Sequence, residues 1–103
     1  MPETPHIEIF HARICGLCHK ALAFFEERGL PVLAYEVEWD EAADRFVDSE
    51  NSREMFRRCG ETDFVPQIFV NGHHIPGWRK LEPMIASGAF DRLLADTANA
   101  EAK

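Results

Sequence analysis

No run of apolar residues in this 103-residue sequence approaches the roughly 20 needed to cross a bilayer as a helix. The opening Met1-Pro2-Glu3-Thr4-Pro5 lacks the basic start and apolar stretch of a secretory signal, so the expected compartment is the cytosol, where thiols stay reduced. Positive charge is also scarce. Eleven Lys and Arg face eighteen Asp and Glu, and the formal charge of −7 argues against a protein that grips phosphate backbones. Neither nucleic acid nor a membrane is an expected partner. Cysteine is sparse too: three residues, an odd number, do not make a structural disulfide framework. The sequence shows no internal repeat and no low-complexity segment.

What is present suffices for one domain, 1–103, expected as a monomer. Hydrophobic residues make up 46% of the chain, and eight Phe with two Trp can fill a modest core. Phe24, Phe25, Phe69 and Phe90 are the aromatic core candidates. The tail from about 96 is Ala-rich and polar and is expected to fray. Residues 6–10 alternate as a short strand. Leu17, Ala21, Phe24 and Phe25 share one helical face across 17–28, and Gly29 ends it. Residues 32–39 are rich in β-branched and aromatic types and predict a second strand. The polar stretch 40–58 is periodic at Ala42/Ala43, Phe46/Val47 and Met55/Phe56, which predicts one helix or two, broken near 48–52 and closed by Gly60. Strands at 67–70 and 73–75 flank Asn71-Gly72, the strongest short hairpin signal. A final helical region covers 80–95, interrupted at Ser87-Gly88. The order β-α-β-α-β-β-α predicts an α/β fold with a four-stranded mixed sheet flanked by helices, and it resembles the thioredoxin fold.

Two of the cysteines form Cys15-Gly16-Leu17-Cys18, where the first strand hands over to the first helix. Unpaired N–H groups and the positive dipole end favour an anion there, so Cys15 is the candidate nucleophilic thiolate. Arg13 adds a nearby positive charge. Cys18 falls one turn into the helix and is expected to be more buried and more weakly acidic. It is the candidate resolving thiol, attacking the mixed disulfide that Cys15 forms. Val65-Pro66 is the second signature, since a proline at the mouth of a strand cannot serve the ladder and has a positional purpose.

Two other chemistries use the same residues. Cys15 through His19 also matches a c-type haem attachment motif, with Met84 downstream as an axial ligand. Strand patterns on both sides and the Asn71-Gly72 hairpin oppose an all-helical cytochrome. A zinc site from Cys15, Cys18, His19 and Cys59 lacks the second close ligand pair that such sites use. Neither metal nor haem is an expected cofactor. Cys59 reads as a packed or half-exposed thiol and His19 as a helix-surface residue.

Taken together, the C-x-x-C helix and the run from Glu54 to Ile75, with Arg58-Cys59-Gly60, Val65-Pro66-Gln67-Ile68-Phe69-Val70 and Asn71-Gly72, resemble the glutaredoxin family over nearly the whole chain. That resemblance implies a thiol–disulfide oxidoreductase that reduces protein or glutathione mixed disulfides, with glutathione as co-substrate. It implies a glutathione site built from Val65, Pro66, Gly77 and Trp78, with Arg13, Arg79 and Lys80 as further contacts, and a cis peptide at Val65-Pro66. Four positions depart from the family pattern. Gly16-Leu17 replaces Pro-Tyr, Ala12 replaces a basic residue, Pro76-Gly77 replaces Gly-Gly, and Arg79-Lys80 reverses an acidic pair. The reversal weakens a contact with the glutathione ammonium and favours its carboxylates. Gly77-Trp78-Arg79 also resembles redoxins that draw electrons from thioredoxin reductase and serve ribonucleotide reductase. Gly16 is shared with single-thiol members that carry an iron–sulfur cluster. Those are the alternative partners and roles.

Overall fold

The computed structural model describes residues 6–101, with side chains to residue 95. Strand β1 (Ile7–His11) is one of the two inner strands of a four-stranded mixed sheet, between Val32–Glu36 on one side and Gln67–Val70, then His73–Pro76, on the other. β1 pairs in parallel with β2 (Val32–Glu36) and antiparallel with β5 (Gln67–Val70), which pairs with β6 (His73–Pro76). Helix α1 (Gly16–Glu27) joins β1 to β2, and α2 (Glu50–Cys59) leads toward β5. Helices α3 (Trp78–Ser87) and α4 (Ala89–Glu101) follow β6 and are split at Gly88. Among the described residues no helix is long and apolar enough to cross a membrane. The tail expected to fray from about 96 lies beyond the residues whose side chains are described.

The strand period divides the core. Ile7 and Ile9 point to one face, where they meet Ile68, Val70, Ala21, Phe25, Leu81 and Phe90. Phe10 points to the other face and packs with Val37, Phe46 and Met55. Glu8 shares that second face and is buried, yet fully paired. Arg58 donates to both of its oxygens at 3.0 and 2.9 Å, and the Tyr35 hydroxyl donates at 3.0 Å. The Arg58 guanidinium also lies 4.1 Å from the centre of the Phe69 ring, so the end of α2 is clamped to the sheet. Asn71-Gly72 makes the expected tight turn, both residues at positive φ (51° and 86°), which glycine adopts freely and asparagine tolerates.

One segment corrects the sequence reading. Residues 40–47 are not helix. Trp39–Asp40 (β3) pairs antiparallel with Arg45–Phe46 (β4), and Trp39 stands opposite Phe46 with ring centres 4.9 Å apart. Asp40 Oδ1 accepts from Ala43 N–H at 3.1 Å inside the turn. Helix α2 starts only after Ser49, whose hydroxyl accepts from Ser52 N–H at 3.0 Å while Ser52 Oγ accepts from Ser49 N–H at 2.9 Å. Of the residues that mimicked a helical period there, Ala42 and Ala43 are exposed turn residues and Val47 is exposed, while Phe46 alone packs, across the strands on Trp39 and into the second cluster.

Candidate active site

β1 ends at His11, and the chain crosses a turn to deliver Cys15 as the N-cap of α1. Its backbone is extended there (φ −106°, ψ 108°), and its sulfur accepts the Cys18 N–H at 3.1 Å. This is one of the four donors that a helix start leaves unpaired. The first turn of α1 holds no carboxylate to oppose an anion at that sulfur. His19 Nε2 donates to the Arg13 carbonyl at 2.9 Å and ties the turn to the helix. Cys15 keeps part of its surface, whereas Cys18 is fully buried. Burial, reinforced by the hydrogen bond to Cys15, pushes the Cys18 thiol up to about 12, and a backbone contact at Ala12 offsets only part of that.

The partner of Cys15 comes from 50 residues further on. Its thiol donates to the Val65 carbonyl at 3.6 Å, a sulfur hydrogen bond across the site. The Val65–Pro66 peptide is cis. Gln67, buried at the start of β5, fixes this loop: its Nε2 donates to the Phe64 carbonyl at 2.9 Å and to Thr62 Oγ1 at 3.2 Å, while its Oε1 accepts from His74 Nε2 at 2.7 Å. Burial holds the His74 imidazole below its ordinary pKa, in keeping with a neutral donor.

Beside the cysteines a groove of about 380 Å³ runs from Val65 to the start of α3. It brings together Val65, Pro66, Gly77, Trp78 and Arg79, five of the residues singled out in the sequence. Arg79 is the one charged residue among the described residues that line it. Gly77 caps α3 at φ 94°, a conformation suited to glycine, and offers no side-chain cap. Arg13 and Lys80 lie outside the groove. Arg13 borders a separate hollow with Glu36 and Glu38, and Lys80 is exposed on α3. Leu17, Phe64 and Pro76, which the sequence did not mark as binding residues, complete the lining. Leu17 lies inside the first signature and Phe64 directly before the second, which was the available signal. Cys59 is half-buried at the end of α2, and burial raises its thiol pKa.

A partly open cysteine at a helix start, a buried cysteine one turn on, and a cis-proline loop that meets the first make a thioredoxin-fold thiol–disulfide oxidoreductase. Residues 7–75 match the glutaredoxin family profile. Glutaredoxin 3 of Escherichia coli K12 is 32% identical over 89 residues, 86% of this chain and 96% of the relative. Glutaredoxin-C4 of Arabidopsis thaliana is 34% identical over 97 residues, 94% of this chain and 67% of that one. Among solved structures, glutaredoxin from Brucella melitensis superposes with a TM-score of 0.64 at 26% identity, covering 91% of this chain and 94% of its own. A buckwheat glutaredoxin–glutathione complex has a TM-score of 0.67 at 20% identity, covering 90% and 79%. The chain belongs to the glutaredoxin family.

Proposed function

We propose that this oxidoreductase works through Cys15 and Cys18 as a dithiol pair and is regenerated by glutathione. The observation that carries the reading is the contrast between the two sulfurs. Cys15 sits at the helix cap with surface exposed, and Cys18 is buried behind it with its proton held. In the forward half-reaction the Cys15 thiolate attacks a substrate disulfide, one half leaves as thiolate, and a Cys15 mixed disulfide remains. Cys18 loses its proton, attacks the Cys15 sulfur, and expels the second thiol as the Cys15–Cys18 disulfide forms. One glutathione thiolate then opens that disulfide at Cys15 and frees Cys18, and a second attacks the Cys15-bound glutathione sulfur, releasing glutathione disulfide and the Cys15 thiolate.

The groove supports glutathione as the reductant. The start of α3 presents the Trp78 and Arg79 N–H groups, since those of Lys80 and Leu81 already bond the Gly77 carbonyl at 3.2 Å, and the Arg79 side chain adds a cation beside them. A carboxylate of glutathione fits that end, with its cysteine along Val65 and Pro66. Gly77 and Trp78 are then backbone contacts, while Arg13 and Lys80 contribute charge from outside the groove. Buckwheat glutaredoxin, of the same fold, binds glutathione.

The test supplies a small disulfide with NADPH and either glutathione plus glutathione reductase or thioredoxin reductase. Turnover with glutathione is expected, with Cys15→Ser inactive on every substrate. Cys18→Ser retains only reactions needing one thiol, such as removal of glutathione from a mixed disulfide. Turnover with thioredoxin reductase alone would sink the glutathione reading. Equal residual activity of the two variants on a protein disulfide would sink the division of roles.

A further inference from the structure

The groove contains an exposed phenylalanine that the cysteine chemistry does not use. Phe10, Phe25 and Phe90 are fully buried and Phe69 is 2% exposed, but Phe64 keeps 46% of its surface in water. A single exposed apolar residue is ordinary on any protein. Phe64 differs because it is held in place. Its carbonyl accepts from the buried Gln67 amide at 2.9 Å, which ties its backbone to β5. Its ring lies against Gly77, where a β-carbon would sit 3.3 Å from the ring edge. With Leu17 and Trp78 it gives the groove an apolar wall.

The position of that wall decides what it can read. Cys15 reaches the carbonyl of Val65, the residue directly after Phe64. A polypeptide half-cystine joined to Cys15 therefore runs along Val65, and neighbouring residues of an extended chain stand about 3.3 Å apart along it. The side chain flanking the half-cystine comes over the Phe64 ring. Glutathione has no apolar side chain on either side of its cysteine to set against the ring. A protein segment with a bulky apolar neighbour covers it and removes apolar surface from water on both partners. We propose that Phe64 is a specificity-determining residue of this groove, selecting protein disulfides whose half-cystine is flanked by a bulky apolar side chain. The proposal rests on Cys15 as the attacking thiol and is independent of which reductant restores it.

The test is single-turnover reduction by the pre-reduced full chain, with no glutathione present. The substrates are two peptide disulfides that differ only in Leu or Ser beside the half-cystine. The Leu peptide is expected to react about tenfold faster in rate constant divided by dissociation constant, the scale on which apolar pockets discriminate. Phe64→Ala is expected to reduce that preference to below about twofold by slowing the Leu peptide more than the Ser peptide, and Phe64→Leu to keep most of the preference. Equal rates in the unaltered protein, a preference that survives Phe64→Ala, or equal slowing of both peptides would overturn the proposal. Cys15→Ser run in parallel separates the two readings. Peptide reduction persisting in that variant would overturn the nucleophile assignment, whatever the ratio between peptides.

Discussion

The two sulfurs of the Cys15–Cys18 pair meet different surroundings although one helical turn separates them. Cys15 has surface and a backbone donor, while Cys18 has neither water nor a compensating charge, and its thiol is pushed up to about 12. Brief treatment of the native reduced protein with iodoacetamide at pH 8 is therefore expected to modify Cys15 and leave Cys18 as a thiol. Fragment-ion mass spectrometry of the Ile14–Lys20 peptide would check this, and equal modification of both cysteines would refute it. The same shift has a sign for stability. The folded state keeps a proton that the unfolded chain releases above about pH 8.5, so Cys18 makes folding weaker as pH rises from there toward 12. At this scale the pair and Val65-Pro66 were readable because each is a local pattern with a mechanism. Phe64 was not. An aromatic residue in a loop reads as core, and only the Gln67 hydrogen bond and the Gly77 contact reveal that it is fixed at the surface.

Among the elements, α2 depends most visibly on a polar tie. Its Arg58 meets Glu8 of the central strand in a two-bond pair, with side chains 20% and 11% exposed. The hydrogen bond to Arg58, outweighing desolvation, holds the Glu8 carboxyl below its ordinary range. Glu8→Gln leaves the guanidinium without its counter-charge and is expected to cost about 2–3 kcal/mol, measured by urea unfolding at pH 7. The sign with pH follows from the depressed carboxyl. The contribution is complete above the unfolded Glu value of about 4.3 and is lost as pH falls through the lower folded value. The gap between the two proteins should thus narrow below about pH 4; a gap independent of pH down to 3 would contradict an ionised Glu8. The same part of the chain shows where sequence reading stopped. β1, α1, the Asn71-Gly72 hairpin and the break before Gly88 were legible from period and turn chemistry. Residues 40–47 were not, because Phe46 and Val47 follow Ala42 and Ala43 at a helical interval, and that interval also suits a hairpin whose turn spans 41–44. What decides between them is distant: Trp39 and Phe46 pack on Phe56 and Met55 of α2. The Ser49–Ser52 box was also unmarked, since it lacks the acidic residue that usually signals a helix start.

Across the whole molecule, the field and the groove oppose each other. The chain carries a formal charge of −7, which repels an anion such as a glutathione mixed disulfide, yet Arg79 lines the groove and Lys80 stands beside it. The radius of gyration is 14.1 Å. At about 0.01 M salt the screening length of roughly 30 Å exceeds it, so an approaching anion feels the entire charge. At about 1 M salt the screening length falls to roughly 3 Å and only contacts count. A cationic rim set against a repelling body is expected to matter most when screening is weak. The double substitution Arg79→Gln with Lys80→Gln should lower kcat/KM for a glutathione mixed disulfide about three- to tenfold at about 0.01 M salt, and less than about twofold at about 1 M. The coupled NADPH assay, run across that salt range on both proteins, measures it. A loss of the same size at both salts would assign the two cations to direct contact with bound substrate. No loss at either would remove them from the site, leaving the N–H groups at the start of α3 as the attraction for the carboxylate.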